Sequence, residues 1–255
     1  MKSVILAAGR GTRMRHLTDN QPKPMIDIGK ELILEKIVFS IRDAGISEFV
    51  VVTGYHANII ENFFGDGHSF GIQITYVRQK VLDGTAGAVR ITRDCVNDKP
   101  FLLSFGDIIT NPANYSRVIE TFHRNPSDAL LSVNEIEDPY KGAAVHFDPE
   151  TKRITQIIEK PPKGSSTTKW NNSGIFVFTP SLFDYIEQIE LSPRGEYELP
   201  DAIRLMIEDN KSVMAMPLKG FWGDIGTPED VEQLRFMIEK DENILQNDTQ
   251  NRTLH

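Results

Sequence analysis

The order of apolar runs in the first 105 residues limits the possible folds more strongly than any other feature of the chain. Runs short enough for buried strands alternate with segments whose apolar residues recur at helical spacing. The run at 49–53, Phe-Val-Val-Val-Thr, is uninterrupted, which is typical of a parallel strand covered on both faces. The alternation therefore predicts an α/β fold in which helices cross over between parallel strands.

The second half of the chain follows a different pattern. From residue 128 onward, apolar runs follow one another with little helix between them, which indicates antiparallel strands beside a parallel core. The prediction is a mixed, mostly parallel central sheet. The predicted strands are 4–8, 49–53, 72–77, 101–105, 129–133, 143–147, 154–158, 174–178 and 213–217, and the predicted helices are 32–44, 57–64, 86–94, 199–208 and 229–245.

Composition excludes several classes of function. The net charge of −8 argues against general affinity for nucleic acid or anionic membrane. Cys95 is the only cysteine, so no intrachain disulfide can form and a reducing compartment is expected. No apolar stretch approaches the roughly 18 residues of a membrane span. The expectation is a soluble, cytoplasmic protein whose anionic ligands are attracted by a local positive patch.

The loop after the first strand supplies such a patch. Gly9 and Gly11 interrupt the apolar run, and without a Cβ atom each allows the backbone to turn tightly and its N–H groups to approach a ligand. Backbone N–H groups in such a loop suit phosphate oxygens. The cationic residues in and just after the loop are Arg10, Arg13, Arg15 and Lys23. A polyphosphate is the ligand that this combination favours.

Two common phosphate-binding loops are excluded by the residues that follow the glycines. The dinucleotide-binding fingerprint requires a third glycine, and Met14 stands at that position. The Walker A loop requires Gly-Lys followed by Ser or Thr, and that triplet does not follow Gly11. Neither NAD nor a P-loop is therefore indicated.

A longer motif carries a resemblance to a known family. It runs Leu-Ala-Ala-Gly-x-Gly-Thr-Arg-Met at 6–14 and continues with Leu-Thr at 17–18 and Pro-Lys-Pro-Met at 22–25. This motif resembles the signature of the sugar-1-phosphate nucleotidylyltransferases, also called nucleotide-sugar pyrophosphorylases. His16 departs from it, because the family usually has proline there, but the charges of the loop are kept. The resemblance spans residues 2–231.

The resemblance implies a Rossmann-like three-layer sandwich, the nucleotide-diphospho-sugar transferase fold. It also implies Mg²⁺-dependent transfer of a nucleotidyl group from a nucleoside triphosphate to a sugar 1-phosphate, with release of pyrophosphate. We expect one domain at 1–245, with a nucleotide-binding half at about 1–125, a sugar-binding half at about 126–228 and a C-terminal helix at 229–245, followed by a polar tail at 246–255. Relatives often form dimers or tetramers, so homo-oligomerisation is left open.

Two acidic residues match the metal ligands of the resembled family. Asp107 follows Gly106 at the end of the predicted strand 101–105, where open α/β sheets bind ligands. Asp224 precedes Ile-Gly-Thr-Pro at 225–228. Mg²⁺ takes carboxylate oxygens together with substrate phosphates. The resemblance therefore implies that Asp107 and Asp224 are the magnesium ligands.

The other site residues are also implied by the resemblance. An amide side chain and a glycine backbone at 79–84 resemble the nucleobase site, and an amide can hydrogen-bond the imide edge of uracil or thymine. The implied nucleotide-binding residues are Leu6, Ala7, Ala8, Gly9, Gly11, Thr12, Arg13, Gln79, Gly84, Thr85 and Asp107. The implied sugar-phosphate-binding residues are Lys23, Gly142, Glu159, Lys160 and Asn172, and the implied catalytic residues are Arg13, Lys23 and Lys160.

The base, the sugar and two alternative functions stay open at this stage. Ala8 is typical of uridylyltransferases, the segment 79–84 resembles thymidylyltransferases, and the segments 84–87 and 220–226 resemble guanylyltransferases. UTP or dTTP is favoured over GTP. The alternatives are a nucleotidylyltransferase for another phosphate acceptor, such as phosphocholine, and a non-catalytic nucleotide-sugar-binding regulatory subunit.

Overall fold

The computed structural model describes residues 1–238 and 240. A nine-stranded sheet lies at the centre of the fold. Its strands are β1 (Lys2–Ala7), β2 (Glu48–Thr53), β3 (Gln73–Arg78), β4 (Phe101–Phe105), β6 (Ala129–Glu135), β7 (Ala143–Phe147), β8 (Ile154–Glu159), β9 (Trp170–Phe178) and β10 (Val213–Pro217). Seven of them run in the order β10-β6-β9-β4-β1-β2-β3, and β7 pairs with β8 and β9. Along this path every pairing is parallel except the two made by β9. The predicted mixed, mostly parallel sheet is confirmed.

Helices cover both faces of this sheet. They are α1 (Ile33–Asp43), α2 (Ala57–Phe64), α3 (Thr85–Arg90), α4 (Arg93–Val96), α5 (Ala113–Arg124), α6 (Leu182–Ile186), α7 (Leu199–Glu208) and α8, which is described at 228–238 and 240. Within the described residues, no helix combines the length and the hydropathy that crossing a bilayer requires. The predicted helix residues 241–245 and the predicted polar tail 246–255 lie outside the described residues.

Two hydrophobic cores result from the alternation of side chains along each strand. In β1, Val4 belongs to the core beneath α3, α6 and α7, while the next residue, Ile5, belongs to the core beneath α1, α5 and α8. Both side chains are fully buried. Successive strand residues point to opposite faces, so uninterrupted apolar strands require cover on both sides. The outcome is the predicted α/β sandwich of helix, sheet and helix layers.

Several predicted element boundaries were wrong. The predicted helix 86–94 is two helices, α3 and α4, because the chain turns at Thr92, whose hydroxyl and backbone N–H both donate to Val89 O. The strand predicted at 174–178 begins four residues earlier, at Trp170. The polar residues at 171–173 concealed this extension, although Asn171 and Asn172 pair with β6 and Asn171 also pairs with β7.

Helices α5 and α6 and the short strands β5 (Ile108–Thr110) and β11 (Trp222–Asp224) were missed entirely. Helix α5 has its buried residues Tyr115, Val118 and Phe122 at helical spacing, a signal that the sequence did contain. A second, two-stranded sheet pairs β5 antiparallel with β11. Strands of three residues carry too little periodicity to be recognised, and their partners lie more than a hundred residues apart in the chain.

The central strand β9 offers a test of this packing. Replacing Ile175, which is fully buried, with valine is expected to lower the free energy of unfolding by about 1 kcal/mol, because one buried methylene is lost. The matched change at Ile158, whose side chain is 38% exposed on β8, is expected to cost less than about 0.5 kcal/mol. Urea unfolding of both variants measures the difference. Equal losses would contradict the assignment of Ile175 to the core.

Candidate active site

The residues that follow three neighbouring strands meet at one edge of the central sheet. The register pairs Ala7 of β1 with Thr53 of β2, and Leu6 of β1 with Phe105 of β4. All three strands are parallel, so the loops after them begin side by side, at the carboxyl edge where α/β sheets bind ligands. The segments brought together here are 8–13, 54–56 and 106–107.

The glycine loop adopts the sharp turn that its sequence predicts. Gly11 has a φ of 63°, in the left-handed region that side-chain-bearing residues seldom occupy. A Cβ atom at Gly11 would lie only 2.9 Å from the Cβ of Lys23. The turn continues into a 3₁₀ segment in which Met14 N–H donates to Gly11 O at 2.8 Å, and Met14 is fully buried. Gly11 therefore brings the loop backbone against Lys23.

Tyr55 fixes this loop from the neighbouring strand, a role that sequence reasoning missed. Its backbone N–H donates to Ala8 O at 3.1 Å and its hydroxyl donates to Thr18 O at 3.0 Å, so both ends of the loop are tied to one residue. The Arg10 guanidinium lies over the Tyr55 ring, 5.4 Å from its centroid. This contact turns Arg10 toward Tyr55 and distinguishes it from Arg13 in the same loop.

A cavity of about 270 Å³ opens between the loop and the end of β4. We call it the phosphate cavity. It is lined by Leu6, Ala7, Gly9, Gly11, Thr12, Arg13, Lys23, Pro24, Gly106 and Asp107. Most of the residues predicted to bind the nucleotide phosphates thus border one space, together with two of the predicted catalytic residues, Arg13 and Lys23.

Asp107 and Asp224 lie close together because of the small second sheet. Asp107 immediately precedes β5, and Asp224 ends β11, where it is paired with Ile108. The backbone N–H of Ile225 also donates to Asp107 O at 3.1 Å. Trp222, two residues before Asp224, donates through Nε1 to Ser173 O at 2.9 Å and so joins β11 to the central sheet.

Lys23 lies between these two carboxylates. Its Nζ atom is 2.6 Å from Asp107 Oδ2 and 3.6 Å from Asp224 Oδ1, and the Lys23 side chain is only 8% exposed. Partial burial raises the pKa of the Asp224 carboxyl, and the negative charge of Asp107 raises it further, while Lys23 and Arg13 act to lower it. The Arg13 guanidinium packs against Gly226, 3.5 Å from the position that a Cβ atom would take there. Two acids and two cations therefore form one charged cluster.

This cluster has the donor chemistry that Mg²⁺ requires. Two carboxylates converge on a single ammonium group, so their oxygens can also converge on a small cation. In the part of the chain that the structure describes, no group of three or more His, Cys, Asp and Glu side chains forms a metal cluster. Mg²⁺ is commonly held by one or two carboxylates plus substrate phosphates, so Asp107 and Asp224 suffice.

The predicted base-binding segment is built on β3 and α3. Gln79 is buried, and its backbone N–H donates to Thr53 O at 2.8 Å, which places it beside β2. Gly84 has a φ of 107° and contacts the Tyr197 backbone so closely that no side chain fits. The Thr85 hydroxyl accepts a hydrogen bond from Leu199 N–H at 3.0 Å. That contact ties α3 to α7, so the geometry gives Thr85 a structural role.

The predicted sugar-side residues are brought together by β7, β8 and β9. Glu159 pairs with Ala143, and Lys160 N–H donates to Gly142 O at 2.7 Å. Asn172 is on β9, which pairs with β7 through Asn171. The Oδ1 atom of Asn172 accepts a hydrogen bond from Gly174 N–H at 3.2 Å. The phosphate cavity is not bordered by Glu159 or Lys160. Both residues line a second cavity of about 840 Å³ between β8 and α7.

Arg194 completes this second group, and sequence reasoning missed it. Its guanidinium lies 3.2 Å from Glu159 Oε1 and also pairs with the carboxylate of buried Glu198. Burial raises the pKa of Glu159, chiefly by desolvation, whereas Lys160 and Arg194 act to lower it. The triplet Pro-Arg-Gly at 193–195 marked a turn carrying a cation, but nothing in its spacing pointed to Glu159, 35 residues away.

The chain is similar to known proteins over nearly its whole length. A family model described as nucleotidyl transferase matches residues 2–240. The low-salt glycan biosynthesis nucleotidyltransferase Agl11 of Haloferax volcanii is 34% identical over 96% of this chain and 68% of its own length. The UTP–glucose-1-phosphate uridylyltransferase AglF of the same organism is 34% identical over 94% of this chain and 98% of its own length.

A solved structure supports the fold independently. The crystal structure of a UDP-glucose pyrophosphorylase complexed with UDP-glucose superposes with a TM-score of 0.85, at 21% identity, over 94% of this chain and 98% of that one. At this level of identity the similarity concerns the fold. The helix-covered mixed sheet described above is thus shared with a known nucleotidyltransferase structure.

Proposed function

The chain belongs to the nucleotidyl transferase family and is an enzyme of the sugar-1-phosphate nucleotidylyltransferase type, and from that premise we propose that it uses UTP or dTTP with Mg²⁺ as cofactor. The observation that carries the proposal is the meeting of Asp107 and Asp224 around Lys23 beside the phosphate cavity. In this proposal the half at about 1–125 binds the nucleotide and the half at about 126–228 binds the sugar.

The reaction joins two phosphorylated molecules. An oxygen of the sugar 1-phosphate attacks the α-phosphorus of the nucleoside triphosphate, and the bond between the α-phosphorus and the bridging oxygen breaks, so that pyrophosphate leaves. Such a transfer depends mainly on positioning and charge stabilisation. A charged cluster beside a glycine loop is therefore sufficient, and no nucleophilic side chain is required.

Each cation in the site has a distinct role in this proposal. Arg13, which borders the phosphate cavity, neutralises charge on the α- and β-phosphates and on the departing pyrophosphate. Lys23, which lies between Asp107 and Asp224, contacts the phosphates from the side of the cavity that Arg13 also borders. Lys160 holds the phosphate of the sugar as a point charge. When bound at Asp107 and Asp224, Mg²⁺ supplies additional positive charge and polarises a phosphoryl oxygen.

The preference for UTP or dTTP has two supports. Gln79 provides a buried amide directly after β3, and an amide can pair with the imide edge of uracil or thymine. AglF, which matches nearly its whole length to this chain, is named as a uridylyltransferase. For the acceptor, Glu159 and Asn172 offer oxygens suited to sugar hydroxyls. The phosphocholine alternative requires an aromatic cage for a quaternary ammonium, whereas the neighbours of Glu159 are Lys160 and Arg194.

A substrate matrix tests the proposal. Purified protein is incubated with Mg²⁺, each of UTP, dTTP, GTP, CTP and ATP, and each of several sugar 1-phosphates, and pyrophosphate release is measured. We expect release with UTP or dTTP and at least one sugar 1-phosphate. Excess EDTA should abolish it and added Mg²⁺ should restore it, because the site provides only two metal ligands of its own. Turnover with GTP alone would refute the proposed base, and full activity in EDTA would refute the proposed metal.

A further inference from the structure

The Gln79 amide is held in one orientation by its neighbours. Its Nε2 atom donates to Asp83 Oδ1 at 2.9 Å and to Gly84 O at 3.2 Å, so both N–H bonds are used within the protein. Among the described residues, none donates a hydrogen bond to Gln79 Oε1. This oxygen is also absent from the fully buried polar atoms without a partner, so it keeps some access to solvent. The oxygen is therefore the one polar atom of this side chain that remains available to a ligand.

Asp83 is itself fixed by surrounding groups. Arg90 Nη2 donates to its Oδ2 atom at 3.0 Å, and the Arg90 guanidinium also lies over the Tyr197 ring, 5.0 Å from its centroid. The backbone carbonyl of Asp83 accepts from Tyr197 N–H at 2.7 Å. The carboxylate lies where a side chain on Gly87 would be, so Gly87 leaves the space that Asp83 fills. A carboxylate held in this way presents only acceptors to Gln79.

We infer that Asp83 is a positioning residue that sets nucleotide specificity by holding the Gln79 amide with its oxygen toward the base. The inference rests on the proposed function, since it concerns the nucleotide of that reaction. An amide held this way accepts a hydrogen bond and offers none. The bases that fit are those whose ring nitrogen at the Watson–Crick edge carries a hydrogen, namely uracil, thymine and guanine.

The same geometry rejects the other two bases. Cytosine and adenine carry a lone pair on the corresponding ring nitrogen, which would face the lone pairs of Gln79 Oε1. A site that places a fixed polar group against a base without the matching partner loses binding strongly, because that group is left unpaired. A freely rotating glutamine would adapt to either kind of base. The contact with Asp83 is therefore what makes Gln79 selective.

The variant Asp83→Asn reverses this arrangement while keeping the size of the side chain. Arg90 has only donors, so it keeps its hydrogen bond to the oxygen of the new asparagine side chain. The NH₂ group of that asparagine then faces Gln79. Gln79 can then pair only by presenting its own oxygen inward and its NH₂ outward. We expect the ratio of kcat/KM for UTP or dTTP to that for CTP to fall by about tenfold or more. The change should lie in the KM for the nucleotide, with the KM for the sugar 1-phosphate unchanged.

The control is Asp184→Asn, which alters another aspartate paired with an arginine, here Arg93 at 2.9 Å on an exposed surface. It should leave the ratio unchanged. Arg90→Met is a second variant: it keeps Asp83 but removes the group that fixes it, and we expect a fall of about threefold in the same ratio. If Asp83→Asn does not fold, Arg90→Met decides. An equal loss for UTP and CTP would show a merely structural role and overturn the inference.

Binding measurements separate this inference from the proposed function. Calorimetric titration with UTP and CTP, without any sugar phosphate, reports base selectivity even if no nucleotide sugar is formed. Tighter binding of UTP by the wild-type protein, with the preference reduced in Asp83→Asn, supports the role of Asp83. The absence of turnover with every substrate pair would refute the proposed function alone. Equal binding of UTP and CTP by the wild-type protein would overturn the inference.

Discussion

Replacing Arg13 with alanine is expected to lower kcat for nucleotidyl transfer by about 10²- to 10³-fold, equivalent to about 3 kcal/mol of transition-state stabilisation or more. The Arg13 guanidinium borders the phosphate cavity, packs against Gly226 and lies near enough to Asp224 to lower the pKa of that carboxyl. A charge fixed in advance stabilises the departing pyrophosphate without reorganisation. The measurement is pyrophosphate release with both substrates saturating, so that weaker binding does not contribute.

The matched control for this prediction is Arg15→Ala. Arg15 lies in the same loop and carries the same charge, but it does not line the phosphate cavity. Its removal changes the net charge identically, so a general electrostatic effect on the anionic substrates would appear in both variants. We expect the Arg15 variant to stay within about threefold of wild type. An unchanged kcat in the Arg13 variant would refute its assigned role.

Converting Asp107 or Asp224 to asparagine is expected to lower kcat/KM by about 10³-fold or more, a loss of about 4 kcal/mol. Each change keeps the shape of the side chain and removes one of the two negative charges that converge on Lys23. The remaining carboxylate binds Mg²⁺ more weakly, so the concentration of Mg²⁺ that gives half-maximal activity should rise. That concentration is measured by titrating Mg²⁺ at fixed nucleotide and sugar 1-phosphate.

The double variant sharpens this second prediction. If the two carboxylates act as one metal site, the double variant loses little more than either single variant, because residues that work as a unit are not additive. Asp19→Asn, an exposed aspartate that follows the same loop, serves as the control and should leave the Mg²⁺ dependence unchanged. Normal Mg²⁺ dependence in both single variants would show that the pair does not hold the metal.

Much of the fold could be predicted from local sequence pattern. Uninterrupted apolar runs such as 49–53 are found as central strands, because burial on both faces leaves no polar position to hide the signal. Helix α2 and strand β4 begin and end at the predicted residues, 57–64 and 101–105. The signal failed where polar residues line a strand, as at the start of β9, and where a strand is only three residues long, as in β5 and β11.

The candidate site was predictable only in part. The cationic glycine loop was visible as one continuous segment, and Asp107 and Asp224 could be assigned by resemblance. Tyr55, Asp83 and Arg194 were not recognised as contributors. Each acts through a contact with a residue on another element or loop, and single residues of common type carry no signal in isolation. Lys160 lies beside the second cavity with Glu159, and its assignment to the phosphate of the sugar stays a prediction.

The sequence by itself determined the class of fold, the glycine bend and the concentration of arginine beside it, because these depend on residues that are neighbours in the chain. Only the tertiary structure decided which distant groups form ion pairs, namely Lys23 with Asp107 and Asp224, and Glu159 with Arg194. The β5–β11 sheet brings Asp224 beside Asp107, more than a hundred residues away in the chain, and the packing of α7 and the loop before it beside β8 brings Arg194 to Glu159. Hydrogen-bond and ion-pair energies depend on separations of a few ångströms, which local sequence pattern does not specify.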